Sequence, residues 1–189
     1  MEGEGRAKGE YAPLDDWQPP PELGVHAKHL RNLYVYFWRW ASRKVFEPVP
    51  GQAPGGGRGV VAFITAAGFL SGPGFVRMRQ ELRRWCHEIW VIDCSPEGHQ
   101  PEVATRIFQG VQQPVCIVIG VRQRDEPKAE PARVRWRALP AGPRAVKFEA
   151  LGALRVEQGG WQDCPVDEGA PFLPESAGAW STYPALAEL

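Results

Sequence analysis

The sequence predicts an α/β fold built on a mainly parallel sheet. Two short apolar runs, residues 60–65 and 89–94, flank a stretch with helical spacing, which reads as strand, helix, strand. A third apolar run spans 115–121. The 21 Gly and 19 Pro among 189 residues leave no room for a long helical bundle or coiled coil. The length allows one or two small domains with a core of their own.

Each element has a local reason. Residues 1–25 are polar, and Pro19, Pro20 and Pro21 favour an extended path, so no core is expected to begin there. From about 29 to 46, Leu30, Leu33, Tyr34, Phe37, Trp40, Ala41 and Val45 recur at three- and four-residue steps, the mark of an amphipathic helix, which Pro48 and Pro50 stop. A Gly-rich connector, 51–59, leads to the run 60–65, whose lack of polar alternation predicts a strand covered on both faces. A glycine-rich turn, 68–74, precedes a helix carrying Val76, Met78, Leu82 and Trp85, and the strand 89–94 follows. The crossover predicts the two strands parallel. A loop of about 20 residues, 95–114, is longer than compact domains usually tolerate without a function. After the strand 115–121, Arg133, Arg135 and Arg137 alternate with Val134, Trp136 and Ala138, predicting a strand with one basic face, and 145–154 a short helix. Beyond 157 the chain is Gly, Pro and Trp with little periodicity and no closing element, as if the domain continued in a longer chain.

No apolar run approaches the roughly 18 residues of a membrane span, and the polar N-terminus is no signal peptide, so a cytoplasmic protein is expected. Zero net charge hides segregation: −4 over residues 1–22, +8 over 23–87, −3 over 88–121, +5 over 122–148 and −6 over 149–189. Two basic blocks suit a polyanion such as DNA, and equally suit ordinary solvated faces. Arg39, Arg43, Lys44, Arg77, Arg79, Arg83 and Arg84 are the candidates for DNA phosphate contact. Cys86, Cys94, Cys116 and Cys164 lack C-x-x-C spacing and read as reduced core thiols; His26 and His29 have no cysteine pair nearby to make a zinc site.

The turn 68–74 occupies the strand-to-helix position that holds phosphate, but neither G-x-G-x-x-G nor G-x-x-x-x-G-K-[ST] is present and Pro73 removes an amide, so a tight turn is the better account. Gly55, Gly56 and Gly57 precede their strand, the wrong side for ligand binding. Ser71 has no G-x-S-x-G around it. Asp93 and Glu97 lie at the carboxyl end of the second strand, as an acid and base pair or as solvated loop carboxylates. Phe108, in the long loop, either stacks on a base or anchors the loop onto the sheet.

The strings HAKHLRNLYVYFWRWA (26–41), VVAFITAAGFLSGPGF (60–75) and EIWVIDCSPEGHQPEVATRIFQGVQQPVCIVIGV (88–121), with the stretch around Trp161 and Cys164, closely resemble bacterial adenine-specific DNA methyltransferases of the type ISP restriction-modification kind. The resemblance covers roughly residues 11–189. It implies the late half of a Rossmann-like methyltransferase sheet, the strands 60–65, 89–94 and 115–121 with the last inserted antiparallel, which revises the parallel-only expectation. It implies a polar lead-in over 1–25, the C-terminal half of a methyltransferase domain over 26–124, and the start of a target-recognition region over 125–189. In the intact family S-adenosylmethionine sits at an F-x-G-x-G loop on the early strands, and an Asn/Asp-Pro-Pro-Tyr/Phe motif holds the flipped adenine, which Phe108 would face. This sequence has neither motif. Asp16-Trp17-Gln18-Pro19-Pro20 has a proline pair without the acidic or amide residue directly before it or the aromatic after it, so no catalytic role is carried onto it. The chain is therefore expected to be inactive alone and to bind no cofactor alone. Its expected partners are DNA and a separately encoded N-terminal methyltransferase half. The alternative is a non-catalytic DNA-binding module or complementing subunit.

Overall fold

The computed structural model describes residues 13–47, 57–98, 106–123 and 130–175. Strands β1 (Gly59–Ala66), β2 (Glu88–Asp93), β3 (Val115–Arg122), β4 (Arg133–Ala138) and β5 (Gln162–Asp163) form one mixed sheet in the order β1-β3-β2-β4-β5. Helices are α1 (Leu33–Phe46), α2 (Val76–Trp85) and α3 (Arg144–Ala153), with a 3₁₀ stretch over Pro21–Arg31.

The sheet is mixed where the apolar runs alone predict a mainly parallel one. β3 runs antiparallel to both β1 and β2 and lies between them, so the two strands joined through α2 are parallel but not adjacent. β4 adds parallel to β2 on its other side, so residues beyond 125 join the same sheet. The position of β3 also corrects the expectation for the run 60–65. β1 is the edge strand and only one of its faces is covered: Val61 is buried, while Val60 and Ile64 are each 57% exposed.

One face of the sheet carries α1 and α2. Val35, Trp38 and Phe46 of α1 and Met78 and Leu82 of α2 pack with Val61, Ile89, Val91, Val118 and Val134 from the strands. Trp38 meets Phe63 edge-on with ring centroids 5.0 Å apart. Burying a side chain of this size contributes about 1.5–3 kcal/mol. At Gly120 any Cβ would come within 2.9 Å of Cys86 Sγ, so the glycine lets β3 pass under the end of α2. The other face carries α3 and the loop before β3, where Ile92, Cys94, Ile107, Val115 and Leu139 pack with Leu151 and Leu154. Cys86, Cys94, Cys116 and Cys164 are all reduced and buried. Burial pushes the thiols of Cys94 and Cys164 up to about 11 and 12, so they pack as apolar groups and are no nucleophiles.

α1 starts later than its periodicity suggests, at Leu33, because Asn32 is extended and its side-chain amide donates to the His29 carbonyl (2.8 Å), closing the 3₁₀ stretch. It ends on schedule: Glu47 precedes Pro48 and is extended, as pre-proline residues are. The lead-in is the larger surprise. Leu14 and Trp17 belong to the main core, although no core is expected there. Arg39 holds them in place. It is 3% exposed, donates to Asp16 and Glu81 at 2.7 Å each and to the Pro13 carbonyl at 3.0 Å, and Trp17 Nε1 donates to the same Glu81.

Candidate functional site

Sites in open α/β sheets gather at the carboxyl ends of the parallel strands. Here that end is formed by the turn after β1, the start of α2, and the loop leaving β2. The turn is packed solid. A Cβ on Gly74 would lie 2.5 Å from the His26 carbonyl oxygen, and the Gly72 and Phe75 amides donate to Gly68 and Gly72. Gly74 serves close packing on the 3₁₀ stretch, Gly72 packs within the turn, and these amides are spent inside it, so it is no phosphate cradle.

After β2, Asp93 Oδ1 accepts from the Ser95 amide (2.8 Å) and Ser95 Oγ accepts from the Val115 amide (3.1 Å), tying β2 to β3. Burial raises the Asp93 carboxyl, against the opposing Ser95 amide and the charge of Lys147. Lys147 is fully buried and donates from Nζ to the Cys94 carbonyl (2.9 Å) and to Glu97 Oε2 (2.8 Å), while Glu97 Oε1 accepts from the Gly142 amide (2.9 Å). Burial raises Glu97 too, but the hydrogen bonds from Lys147 and Gly142 outweigh it and hold the carboxyl below its ordinary range. Both oxygens of Glu97 are thus engaged. Asp93 and Glu97 do not form an acid and base pair; Glu97 and Lys147 clasp α3 to the sheet.

Ile107 is buried and anchors its loop, while the neighbouring Phe108 is 39% exposed. Ile107 is thus the buried anchor of the loop, while Phe108, read from the sequence either as a base-stacking ring or as that anchor, stays partly exposed at the carboxyl end.

The basic candidates separate into three groups. Arg39, Arg79 and Arg83 are buried at 3%, 3% and 0% exposure and point into the protein, which corrects their assignment to phosphate. Arg79 donates to the carbonyls of Phe69 (3.0 Å), Gly72 (2.8 Å), Gly169 (3.2 Å) and Ala170 (3.2 Å). Arg83 donates to those of Pro165 (2.9 Å), Glu168 (3.2 Å), Ala170 (2.7 Å) and Pro171 (3.2 Å), with the Phe172 ring 4.7 Å from its guanidinium carbon. Desolvation pulls both guanidinium groups down to about 10, still charged at neutral pH. Arg43, Lys44 and Arg84 are exposed in the last turns of α1 and α2, which meet through Phe46 and Trp85 (6.4 Å) at the amino end of β1 and β2. Arg43 pairs there with Glu47 at 2.9 Å. Arg77, exposed in the first turn of α2, is the one basic candidate at the same end as Phe108.

Arg133, Arg135 and Arg137 share one face of β4, as their alternation predicts, beside a feature that alternation does not reveal. Arg135 lies 4.3 Å over the Trp90 ring, and Trp161 meets Trp90 edge-on at 4.7 Å. An open groove of about 350 Å³ runs between them and Gly159. The guanidinium groups are already held: Arg133 by Asp163 (2.8 Å, two contacts), Arg135 by Glu88 (3.4 Å) and Arg137 by the Gly159 carbonyl (2.9 Å). Among the described residues no group of His, Cys, Asp and Glu could hold a metal ion, and no helix is long and apolar enough to cross a membrane.

S-adenosylmethionine, implied by the family resemblance, does not fit these residues. The turn after β1 has no cleft because Gly74 abuts the 3₁₀ stretch, and the end of β2 is filled by the Glu97–Lys147 clasp.

No family model matches the sequence, and no curated protein matches it. Solved structures do. The type ISP restriction-modification enzyme LlaBIII bound to DNA matches over 87% of this chain at 18% identity and a TM-score of 0.58. A DrdV–DNA complex matches over 76% at 20% identity and 0.57, and a nuclease-deletion mutant of the type ISP enzyme LlaGI with a DNA substrate mimic over 79% at 15% identity and 0.56. The likeness is one of fold. This chain spans only 12%, 13% and 15% of the LlaBIII, DrdV and LlaGI chains respectively.

Proposed function

We propose that this chain is the late part of the methyltransferase sheet, with the start of the target-recognition region, of an S-adenosylmethionine-dependent adenine-N6 DNA methyltransferase in a cytoplasmic restriction-modification system. It is inactive alone and acts with a separately encoded N-terminal half that supplies donor binding and catalysis. The observation that carries this reading is the match of most of the chain to a small part of two type ISP restriction-modification enzymes, one bound to DNA and one in complex with a DNA substrate mimic, and of a DrdV–DNA complex. The inserted antiparallel β3 agrees with the late strands of such a sheet. Methyl transfer needs donor and acceptor held together at near-attack distance, and this chain offers one wall of such a site. Phe108 would present its exposed ring to the extruded base and Arg77 its charge to a phosphate at the same end.

The test is to read the DNA upstream of the Met1 codon for a donor-binding glycine loop and an Asn/Asp-Pro-Pro-aromatic motif, then to assay labelled methyl transfer to DNA. The purified chain is expected to transfer nothing, and the co-expressed pair to methylate adenine. Transfer by the chain alone would overturn its dependence on a companion. The second reading, a non-catalytic DNA-binding module, is favoured by the exposed Arg43, Lys44 and Arg84 at the opposite end of the sheet. It expects DNA retention that weakens with salt and needs no companion.

A further inference from the structure

Among the described residues, the β1 side of the molecule is bare in three places at once. The strand itself, Gly59–Ala66 (GVVAFITA), is an edge of eight residues with no charge, no proline and no bulge in its pairing with β3. Natural proteins rarely leave such an edge open. The sheet face turned away from α1 is uncovered across β1: Val60 and Ile64 are 57% exposed and lie opposite Val121 and Ile117 of β3, which are only partly covered. The helix packed on β1 has a second apolar face. Leu33, Phe37 and Trp40 recur at helical spacing and are 68%, 52% and 62% exposed.

From these three surfaces we infer that the β1 edge is a docking site for a companion α/β polypeptide, which adds a strand along Gly59–Ala66 and lays helices against the exposed faces. The inference rests on reading the chain as one part of a longer methyltransferase sheet, and names the surface where the other part joins. A second copy of this chain is the poorer occupant. Two β1 edges pairing about a two-fold axis would satisfy the backbone, yet the Val60, Ile64 and Val121 faces of both copies would stay in water. A companion carrying both a strand and helices covers edge and faces together. The solved structures agree in scale, since the region matching this chain is embedded in chains about seven to eight times longer than the match.

The experiment is co-expression of the full chain with the polypeptide encoded upstream of its Met1 codon, using wild type, the double variant Val60→Lys/Ile64→Lys, and the control Val60→Thr/Ile64→Thr. Both positions face solvent, so all three chains are expected to unfold cooperatively at the same denaturant midpoint. Wild type and the threonine control are expected to co-purify with the companion in a one-to-one complex and to show at least tenfold slower amide exchange across residues 59–66 than the free chain. The lysine variant is expected to lose both. A companion that carries the donor and catalytic motifs but does not bind, or binds the lysine variant equally, overturns the docking surface and leaves the functional reading standing. A symmetric dimer of the chain alone with residues 59–66 protected assigns the edge to a second copy and overturns the companion. Absence of any methyltransferase polypeptide upstream removes the functional reading and the docking proposal together.

Discussion

At one end of the sheet β5 is two residues long, Gln162–Asp163, and its exposed Asp163 is bound in two places by Arg133 of β4. At the other end β1 offers eight uncharged residues along an edge left open among the described residues. A short, charged edge strand is how sheets stop, and a long apolar one is how they continue. The same contrast runs through the layers above. On the β4 and β5 side the C-terminal segment is bound down by the buried guanidinium groups of Arg79 and Arg83, and α3 by Lys147. On the β1 side α1 turns Leu33, Phe37 and Trp40 to solvent. Among the described residues, one side of the protein is covered by its own chain, and the other presents an apolar edge and apolar faces to solvent.

The strongest way to break this comparison is to remove a clasp from the finished side. Arg83→Met leaves the carbonyls of residues 165, 168 and 171 without this donor, and is expected to cost about 3 kcal/mol or more in urea unfolding, because several hydrogen bonds to a charged donor, each contributing about 1.5–3 kcal/mol, are lost together. A cost below about 1 kcal/mol would mean that the segment is held by Phe172 packing instead.

Lys147→Met is the next largest, about 1–3 kcal/mol at neutral pH, because Glu97 and the Cys94 carbonyl lose their donor. Its pH dependence sharpens the assignment. The Glu97 carboxyl lies below its ordinary range in the folded chain, so its stabilisation is complete above the unfolded value of about 4.3 and is lost as pH falls through the lower folded value. Wild type should therefore lose more stability than Lys147→Met in that acid window. Equal slopes in urea melts at successive pH values would remove Lys147 as the cause.

On the open side, Val60→Lys/Ile64→Lys should change stability by less than about 0.5 kcal/mol while reducing binding of an apolar dye to the free chain. The smallest effect belongs to the basic candidates. Arg77→Glu and Arg84→Glu are each expected to reduce the salt dependence of DNA retention by about one unit of log-log slope without moving the unfolding midpoint. A loss of DNA retention confined to Arg77→Glu would assign binding to the Phe108 end; a loss confined to Arg84→Glu, to the opposite end.

Local chemistry wrote most of the elements legibly. Apolar runs marked β1, β2 and β3, Pro48 ended α1, and the Arg133, Arg135, Arg137 alternation gave β4 its faces, because strand and helix periods are properties of neighbouring residues. The candidate site was less legible. Phe108 and Arg77 do share one end of the sheet, but nothing local separates them from Arg43, Lys44 and Arg84 at the other. Nor does anything local mark Arg39, Arg79 and Arg83 as interior residues: their partners Glu81 and the carbonyls of 165–171 are tens of residues away, and a surface arginine has the same spacing on a helix.

What the sequence by itself determined is therefore β1 to β4 and α1 to α3, though not β5 or the 3₁₀ stretch, together with the thiol character of the cysteines and the segregation of charge. The antiparallel insertion of β3 between β1 and β2 agrees with what the family resemblance implies, although the apolar runs do not show it; only the tertiary structure decided that Trp17 of the lead-in completes the core and that, among the described residues, β1 stands at an uncovered edge. The physical reason is that strand neighbours and the burial of arginine depend on which distant groups satisfy a backbone edge or a guanidinium. Those partners come together only when the whole chain has packed.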